Sequence, residues 1–297
     1  MSTTTGESGE FTANIPPQHQ ELPGLEKKMK PSSESTRLEA GSGLKEYKGI
    51  GKLKDKKVII TGGDSGIGRA VAVLMAREGA DITIVHLPEE GPDANDTKKL
   101  VENEGQQCLC LAYDLMNYTN CKIVVDEHIK KYGRIDVLVN NASKQAQCEN
   151  FEDIDLDMVE STFRSNILQM FALTKYSIPH MPHGSSIINN SSVVAFRGSR
   201  TLIDYSSTKG AIVSFTRSLA KNILHKGIRV NAVAPGPVHT PLQPASRSEE
   251  EMEGFGKQSM LGRPGQPSEI APSFVFLASA EAALYVGQTL HPYPLGD

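Results

Sequence analysis

Two side chains that could move a proton together stand four residues apart, Tyr205 and Lys209 in the sequence YSSTK. The segment has helical periodicity, so both side chains are expected on one face of a helix. A phenol with a pKa of about 10 is a poor base at neutral pH, but a nearby cation stabilises the phenolate and lowers that pKa. Ser192 lies thirteen residues upstream, after an isoleucine-rich strand pattern, and its hydroxyl could bond the same substrate oxygen. For an isolated Tyr–Lys pair, a solvated helix face is the more common explanation.

A glycine-rich turn after the first β-branched run could hold a phosphate group. Thr61 is followed by GGDSGIG, so Gly62, Gly66 and Gly68 have the spacing G-x-x-x-G-x-G in front of a helical pattern. Glycines let the backbone turn sharply and approach a pyrophosphate, and the helix N-terminus offers unpaired N–H groups and positive dipole charge. Taken alone, the motif has an ordinary strand-to-helix turn as its alternative.

A third motif, Asn140-Asn141-Ala142-Ser143, ends a later strand pattern. Small and amide side chains suit a backbone that lies close to a ligand, with a simple asparagine-rich turn as the alternative. In a parallel sheet the carboxyl ends of the strands share one edge, where ligands bind. The three motifs together therefore predict one site.

The elements that must position these residues follow a regular alternation from Lys57 onward. Strands are predicted at 58–60, 82–85, 135–139, 186–188 and 228–230, and helices at 69–78, 121–131, 156–178 and 205–224. The strands lack apolar–polar alternation and are separated by helices, which indicates a parallel sheet covered on both faces. The predicted fold class is α/β, with a single doubly wound Rossmann-type domain whose parallel sheet is flanked by helices.

Composition excludes several classes of protein. Apolar residues make up 38% of the 297 residues, enough for a sizeable core, and 31 basic against 35 acidic residues give a net charge of −4. This balance predicts no nucleic-acid partner. No apolar run approaches the roughly 20 residues that span a bilayer, and residues 1–14 lack a secretory signal, so no membrane partner and a cytoplasmic location are expected. The four cysteines contain no C-x-x-C pair, so reduced thiols and no metal site are predicted.

Residues 1–50 differ from the rest, being rich in Ser, Thr, Gly, Pro, Glu and Lys. Such a composition buries too little apolar surface to offset the entropy of ordering. We therefore predict a flexible N-terminal extension over 1–50 and one catalytic domain over 51–297. For the stretch around Ile15, Pro16 and Pro17, the alternative is an extended course along the body or along a neighbouring subunit.

In this order, the motifs resemble the classical short-chain dehydrogenases/reductases over about residues 54–288. The resemblance rests on the glycine loop, Asp114-Leu115, Asn140 to Ser143, Asn166, Ser192, Tyr205 to Lys209 and Pro235 to Thr240. The details are most similar to a bacterial and fungal subgroup of NAD(P)-dependent oxidoreductases with a P-P-Q-x-Q extension, which here reads IPPQHQ from Ile15 to Gln20.

The resemblance implies four catalytic residues. Tyr205 would be the general acid/base that exchanges a proton with the substrate oxygen, and Ser192 would orient and polarise that oxygen. Lys209 would hydrogen-bond the nicotinamide ribose and depress the pKa of Tyr205. Asn166 would support a water that links Lys209 to solvent. The hydride chemistry belongs to the cofactor, and the protein supplies position and electrostatics.

The resemblance also implies a dinucleotide site, and the cofactor is expected to be NAD(P). Asp114 would lie at the adenine, Leu115 would donate a backbone amide, and Thr240 would bond the carboxamide or the pyrophosphate. The full set of implied cofactor contacts is Gly62, Asp64, Ser65, Gly66, Ile67, Gly68, Asp114, Leu115, Asn140, Ala142, Tyr205, Lys209, Pro235, Gly236, Val238 and Thr240.

The choice between NAD and NADP depends on the end of the second strand, where an acidic residue favours NAD and a basic residue favours NADP. Glu89 and Glu90 favour NAD if they face the ribose, whereas Arg69 favours NADP if it reaches back. Ser143 stands where the family usually has glycine, and the last eight residues, 290–297, depart from the family's usual ending. Residues 239–262 are predicted to form a mobile lid over the substrate.

The leading hypothesis is an NAD(P)-dependent oxidoreductase that interconverts a secondary alcohol and a ketone or aldehyde, with a biosynthetic, secondary-metabolite pathway as one setting. The partner would be a small carbonyl or alcohol substrate, and the resemblance implies a homotetramer or homodimer. One alternative is a dinucleotide-binding regulatory protein without turnover. Another is an epimerase or dehydratase, which would be expected to carry a longer C-terminal domain. Retention of Asn166, Ser192, Tyr205 and Lys209 favours the oxidoreductase.

Overall fold

The computed structural model describes residues 10–41 and 43–294. The strands, in chain order, are an antiparallel hairpin of β1 (Arg37–Glu39) and β2 (Leu44–Glu46), and then β3 (Lys57–Thr61), β4 (Asp81–His86), β5 (Cys108–Ala112), β6 (Val137–Asn140), β7 (Ser186–Asn190), β8 (Arg229–Val233) and β9 (Thr289–Leu290). The last seven form one sheet in the order β5-β4-β3-β6-β7-β8-β9, and every neighbouring pair in it is parallel.

Helices connect these strands. They are α1 (Gly66–Arg77), α2 (Gly91–Asn103), α3 (Tyr118–Tyr132), α4 (Leu156–Phe163), α5 (Gln169–Ser177), α6 (Val194–Arg197), α7 (Ile203–Ile223), α8 (Leu242–Ala245), α9 (Glu249–Met252) and α10 (Pro267–Ala278). One predicted helix is wrong in detail. The pattern over 156–178 gave a single helix, but a π-helical segment at Arg164–Leu168 separates α4 from α5.

The core lies on both faces of the sheet. Val58 and Ile60 pack into the cluster that contains Phe274 of α10, whereas Ile59 between them packs with Val124 of α3 on the opposite face. Successive side chains of a strand point to opposite faces, so a strand covered on both sides is apolar throughout. This is the reason for the unbroken apolar runs in the sequence, and the doubly wound Rossmann-type fold is confirmed.

The described part of the extension takes a packed course along the body. Phe11 and Met29 are each 5% exposed, and Glu26 is 2% exposed. Composition alone suggested a flexible segment. Phe11 and Met29 are anchored, and the body supplies hydrogen-bond partners for polar groups of the extension. Residues 1–9 and 295–297, which belong to the predicted tail and C-terminal segment, lie outside the described residues, and the division at residue 50 stays a prediction.

The described residues contain neither a candidate membrane-spanning helix nor a candidate metal-binding cluster. No helix among residues 10–41 and 43–294 combines the length and apolarity that a membrane crossing requires. In the same ranges, no three His, Cys, Asp or Glu side chains form a group that could hold a metal ion.

Candidate functional site

A cleft of about 370 Å³ opens at the carboxyl edge of the parallel strands. This volume is in the range of small-molecule and cofactor sites. The structure brings most of the predicted site residues together here, with the following lining the cleft: Gly62, Asp64, Ser65, Gly66, Ile67, Asp114, Leu115, Ala142, Ser192, Tyr205, Lys209, Pro235, Gly236, Val238 and Thr240.

The glycine loop has the close packing that its composition predicts. Gly62 and Gly66 have φ values of +60° and +49°, in the left-handed region that favours glycine. Gly68 does not line the cleft; it lies inside the first turn of α1, where a Cβ would stand 1.8 Å from the Gly62 carbonyl oxygen. Glycine at position 68 therefore allows helix α1 to pack closely against the loop.

The Asn140-Asn141-Ala142 motif holds the ends of the strands together. Thr61 Oγ1 accepts the N–H groups of Asn141 and Ala142, each at 2.9 Å, and Asn141 Nδ2 donates to the carbonyls of Thr61 and Gly62 at 3.0 and 2.9 Å. Asn140 lies behind the cleft wall, where its Nδ2 donates to Asn189 Oδ1 at 2.8 Å. The predicted contact of Asn140 with the cofactor stays a prediction.

The predicted catalytic side chains meet at the start of α7. The ammonium of Lys209 lies 5.1 Å from the centre of the Tyr205 ring and donates to the Asn190 carbonyl oxygen at 2.9 Å. Ser192 follows β7, and its Oγ accepts the Val194 N–H at 3.4 Å. Both Tyr205 and Lys209 are buried in the protein yet line the cleft.

Burial controls the protonation of this pair. Loss of hydration raises the pKa of Tyr205 to about 12, although hydrogen bonding from Ser192 and the charge of Arg247 act in the opposite direction. Loss of hydration also lowers the pKa of Lys209 to about 7, so its ammonium is a weak source of positive charge at neutral pH. The lowering of the Tyr205 pKa by Lys209 stays a prediction.

Asn166 lies in the π-helical segment, behind the cleft wall. Its Oδ1 accepts the Lys144 N–H at 2.8 Å, and its Nδ2 donates to the Lys144 carbonyl at 2.8 Å and to Thr208 Oγ1 at 3.1 Å. π-helical turns are frequent at functional sites. Here the turn places the Asn166 amide so that it fixes the backbone of a cleft residue, and the predicted water relay stays a prediction.

At the other end of the cleft, Glu90 contributes to the wall and the exposed Glu89 does not. Burial and the neighbouring charge of Asp64 raise the pKa of Glu90 to about 8. Arg69 is turned away, donating from Nε to the Asp64 carbonyl at 2.9 Å and from Nη2 to the Asp93 carbonyl at 3.1 Å. Arg69 therefore does not reach the cleft in the way that would favour NADP.

The predicted lid contributes its first residues to the site. Thr240 and Gln243 line the cleft, and the remainder of 239–262 includes the short helices α8 and α9. Tyr293 of the C-terminal segment packs against the cluster that contains Tyr205. Its ring also lies against Gly236, where an added Cβ would be 1.9 Å from the ring. Mobility of the lid stays a prediction.

Sequence reasoning missed cleft residues in the extension and after the asparagine motif. Leu22, Pro23 and Gly24 line the cleft, as does Lys144 after the asparagine motif. The only sequence signal for the extension was the IPPQHQ stretch, which stands just before Leu22.

The residues present fit a dinucleotide. Among the described residues, Asp64 Oδ2, Gln169 Oε1 and Asn190 Oδ1 are buried without a hydrogen-bond partner, and all three side chains belong to the cleft wall. Buried polar atoms normally have partners, so these acceptors suit the hydroxyl and amide donors of a bound ligand. The glycine loop next to them lets a pyrophosphate approach the backbone.

The family model described as Enoyl-(Acyl carrier protein) reductase matches residues 62–292. Among proteins of known sequence, the chain is 49% identical over 276 residues to the oxidoreductase YhdF of Bacillus subtilis, covering 93% of each chain. It is 45% identical over 284 residues to a glucose and ribitol dehydrogenase of Daucus carota, covering 94% of this chain and 95% of the relative.

A similar solved structure is that of a short-chain dehydrogenase from Burkholderia cenocepacia in complex with NADP. It has a TM-score of 0.75 and 25% identity, and the match covers 81% of this chain and 97% of the other. A doubly wound sheet with a glycine loop and a cleft at its carboxyl edge is the architecture of dinucleotide-binding proteins. The chain belongs to the short-chain dehydrogenase/reductase family, and its cofactor is NAD(P).

Proposed function

We propose that the protein interconverts an alcohol and the corresponding carbonyl compound, with Tyr205 as general acid/base. The observation that carries this proposal is the meeting of Ser192, Tyr205 and Lys209 in one cleft with the glycine loop. A nucleotide-binding loop alone would serve many functions, but a buried phenol beside a buried amine is suited to proton transfer at a substrate oxygen.

In this mechanism the bound cofactor supplies or accepts the hydride. Tyr205, with a pKa of about 12, carries its proton at neutral pH and donates it to the carbonyl oxygen in the reductive direction. Ser192 donates a hydrogen bond to the same oxygen and so orients it. Lys209, with a pKa of about 7, holds or releases a proton near neutral pH beside Tyr205, and the Asn190 carbonyl keeps its ammonium in place.

The cofactor would be held by three parts of the cleft. The glycine loop from Gly62 to Ile67 offers backbone amides to the pyrophosphate, and Asp114 and Leu115 lie at the predicted adenine end. Pro235 to Val238 would cover the nicotinamide. We also assign the chain to the subgroup with the P-P-Q-x-Q extension.

We infer that a polyol or a sugar carbonyl is the first substrate class to test. Behind the cleft wall, Gln145 Nε2 donates to Ser246 Oγ at 2.7 Å and to Gln243 Oε1 at 3.3 Å, and so holds the Gln243 side chain in place. Lys144 and Gln243 line the cleft. Such groups can bond the several hydroxyls of a polyol, and the carrot relative is named for glucose and ribitol.

The test follows the absorbance of NADH and NADPH with sugars, polyols and simple carbonyl compounds. Tyr205→Phe is compared with Tyr118→Phe, whose phenol is 39% exposed and lies outside the cleft. Turnover should fall by about 100- to 10,000-fold in the first variant, with dinucleotide binding retained, and stay unchanged in the second.

Two outcomes contradict the proposal. Dinucleotide binding without turnover by the wild-type protein on every substrate class favours the alternative of a regulatory protein. Full turnover by Tyr205→Phe removes the proposed acid/base. The cytoplasmic location and the homotetramer or homodimer stay predictions, of which the second is checked by sedimentation.

A further inference from the structure

The N-terminal extension reaches the glycine loop through a buried carboxylate. Glu26 Oε2 accepts the Gly66 N–H at 3.0 Å, and its Oε1 accepts the N–H and the hydroxyl of Ser33 at 2.8 and 2.6 Å. The Asp93 carboxylate in turn accepts the Glu26 N–H at 2.6 Å and the Lys27 N–H at 3.2 Å. Gly66 is the first residue of α1, so the extension fixes a backbone amide where the glycine loop becomes a helix.

The same part of the extension is bonded to the beginning of the lid. The Gln20 N–H donates to the Pro244 carbonyl at 2.9 Å, and His19 Nδ1 hydrogen-bonds to the Arg247 carbonyl at 2.7 Å. These contacts join segments more than 200 residues apart in sequence. The extension therefore connects the lid with the glycine loop.

Between these two attachments, the extension forms part of the cleft wall. Leu22, Pro23 and Gly24 all line the cleft, and Leu22 is 45% exposed, so its apolar side chain is free to cover a ligand. Gly24 touches the lid: a Cβ there would stand 2.3 Å from the Pro241 carbonyl oxygen and 2.9 Å from Ala245 Cβ. Glycine at this position is what allows the contact.

We propose that residues 18–31, here named the strap, are part of the dinucleotide site. Leu22 to Gly24 form a wall over the bound cofactor, and Glu26 is a positioning residue for the glycine loop. The inference rests on the proposed function, because it requires the cleft to hold NAD(P). The strap is hydrogen-bonded both to the glycine loop and to the lid, which lie on two sides of the cleft. Moving the lid away from the loop therefore breaks hydrogen bonds of the strap. The strap therefore slows dissociation of the dinucleotide.

The negative charge of Glu26 would by itself repel the pyrophosphate of the cofactor, which is opposite in sign to the proposed positioning effect. A carboxylate near a helix N-terminus occupies the region that would attract a pyrophosphate. If repulsion dominated, removal of the carboxylate would tighten dinucleotide binding. Positioning is favoured because the Glu26 carboxylate accepts three hydrogen bonds, one of them from Gly66, so its removal frees the loop amide.

The experiment measures the dissociation rate of NADPH from the full-length protein by stopped-flow fluorescence. Glu26→Ala is paired with Glu152→Ala, an exposed carboxylate outside the strap and the cleft wall, and Gly24→Ala with Gly91→Ala, where a Cβ meets nothing within 4 Å. We expect dissociation about tenfold faster in both strap variants and unchanged in both controls. Hydrogen exchange of the Gly66 amide should accelerate in Glu26→Ala only.

Leu22→Ala covers the case in which either strap variant fails to fold, because this exposed side chain carries little of the stability. Faster dissociation in Leu22→Ala supports the wall. Wild-type rates in every folded strap variant, or slower dissociation in Glu26→Ala, overturn the proposal. If the wild-type protein binds neither NADH nor NADPH, it is the proposed function that fails, and the two failures are distinguished in this way.

Discussion

Two buried charged side chains, Lys209 in the body and Glu26 in the extension, differ in how fully their hydrogen-bonding groups are satisfied. At the start of α7, Lys209 is 1% exposed, and among residues 10–41 and 43–294 its ammonium has a single hydrogen-bond partner, the Asn190 carbonyl. In the extension, Glu26 is 2% exposed and its carboxylate accepts three hydrogen bonds. An ammonium has three donors, so the first group is undersatisfied and the second is well satisfied.

The number of hydrogen-bond partners distinguishes a buried group suited to proton exchange, Lys209, from one suited to positioning, Glu26. An undersatisfied buried charge has a shifted pKa, and for Lys209 burial brings it to about 7, within reach of proton exchange at neutral pH. A carboxylate saturated by backbone and hydroxyl donors holds those donors in place. We therefore expect changes at α7 to affect the chemical step and changes in the extension to affect ligand retention and local order.

Among variants that compare these two buried charges and their surroundings, the largest effect is expected for Lys209→Met, which keeps the length of the side chain and removes its amine. Turnover should fall by about 100- to 1,000-fold, because Tyr205 loses its proton-exchanging neighbour. The melting temperature should stay the same or rise, since an undersatisfied amine leaves the core. The control is Lys221→Met, an exposed position on the same helix. A destabilised but active Lys209→Met would show that the residue is structural.

The next largest effect concerns the glycine loop, which lines the same cleft as Lys209 and donates the Gly66 N–H to Glu26. Gly68→Ala would place a Cβ 1.8 Å from the Gly62 carbonyl oxygen and should cost about 3 kcal/mol in the free energy of unfolding. Gly210→Ala is the matched control, since its Cβ would stand 4.0 Å from the nearest atom, within helix α7. There alanine should stabilise by about 0.5–1 kcal/mol. Urea denaturation of both variants checks the opposite signs.

The site at the start of α7 and the sheet that carries it could be predicted from the sequence. The Tyr205–Lys209 pair is local: spacing on one helix places both side chains, and strand ends place Ser192 near them. Parallel strands without apolar alternation predicted the sheet, because each strand is covered on both faces. These inferences need only neighbouring residues and the geometry of regular elements.

The extension could not be predicted in this way. Its order depends on contacts such as Glu26 with Gly66 and His239 with the Pro31 carbonyl, 40 and 208 residues apart. Composition reports apolar content and carries no information about hydrogen bonds between polar groups that are distant in sequence. The π-helical turn at Asn166 was hidden for a different reason: a helical pattern is averaged over many residues, and one widened turn leaves it intact.

A third prediction uses acid to separate the extension from the body. Burial alone would raise the pKa of Glu34, but hydrogen bonds from the Thr36 and Arg37 N–H groups and the Arg37 guanidinium hold it below its ordinary value of 4.5. A lowered carboxyl pKa contributes stability that is present above pH 4.5 and lost as the pH falls through the folded-state value. Hydrogen exchange should therefore show the extension losing protection in acid before the strands do.

The variant Glu34→Gln tests this assignment. It should weaken the docking of the extension at neutral pH by about 1 kcal/mol and reduce its further loss in acid, because no carboxylate is left to protonate at this position. Glu152→Gln, an exposed carboxyl outside the extension, serves as the control. Simultaneous loss of protection in the extension and in β3 would mean that the two regions unfold as one unit.

The smallest expected effect distinguishes the two dinucleotides at the far end of the cleft. Because burial and the charge of Asp64 raise the pKa of Glu90 to about 8, its carboxyl is neutral at pH 7 and ionises as the pH rises past that value. A 2′-phosphate near an ionised Glu90 is repelled, whereas a ribose hydroxyl is accepted. The dissociation constant of NADPH relative to that of NADH should therefore increase about threefold above pH 8.

Glu90→Gln should remove this dependence on pH. Glu89→Gln, at an exposed position outside the cleft wall, should retain it. A ratio that stays constant with pH in the wild-type protein would place the adenosine ribose away from Glu90.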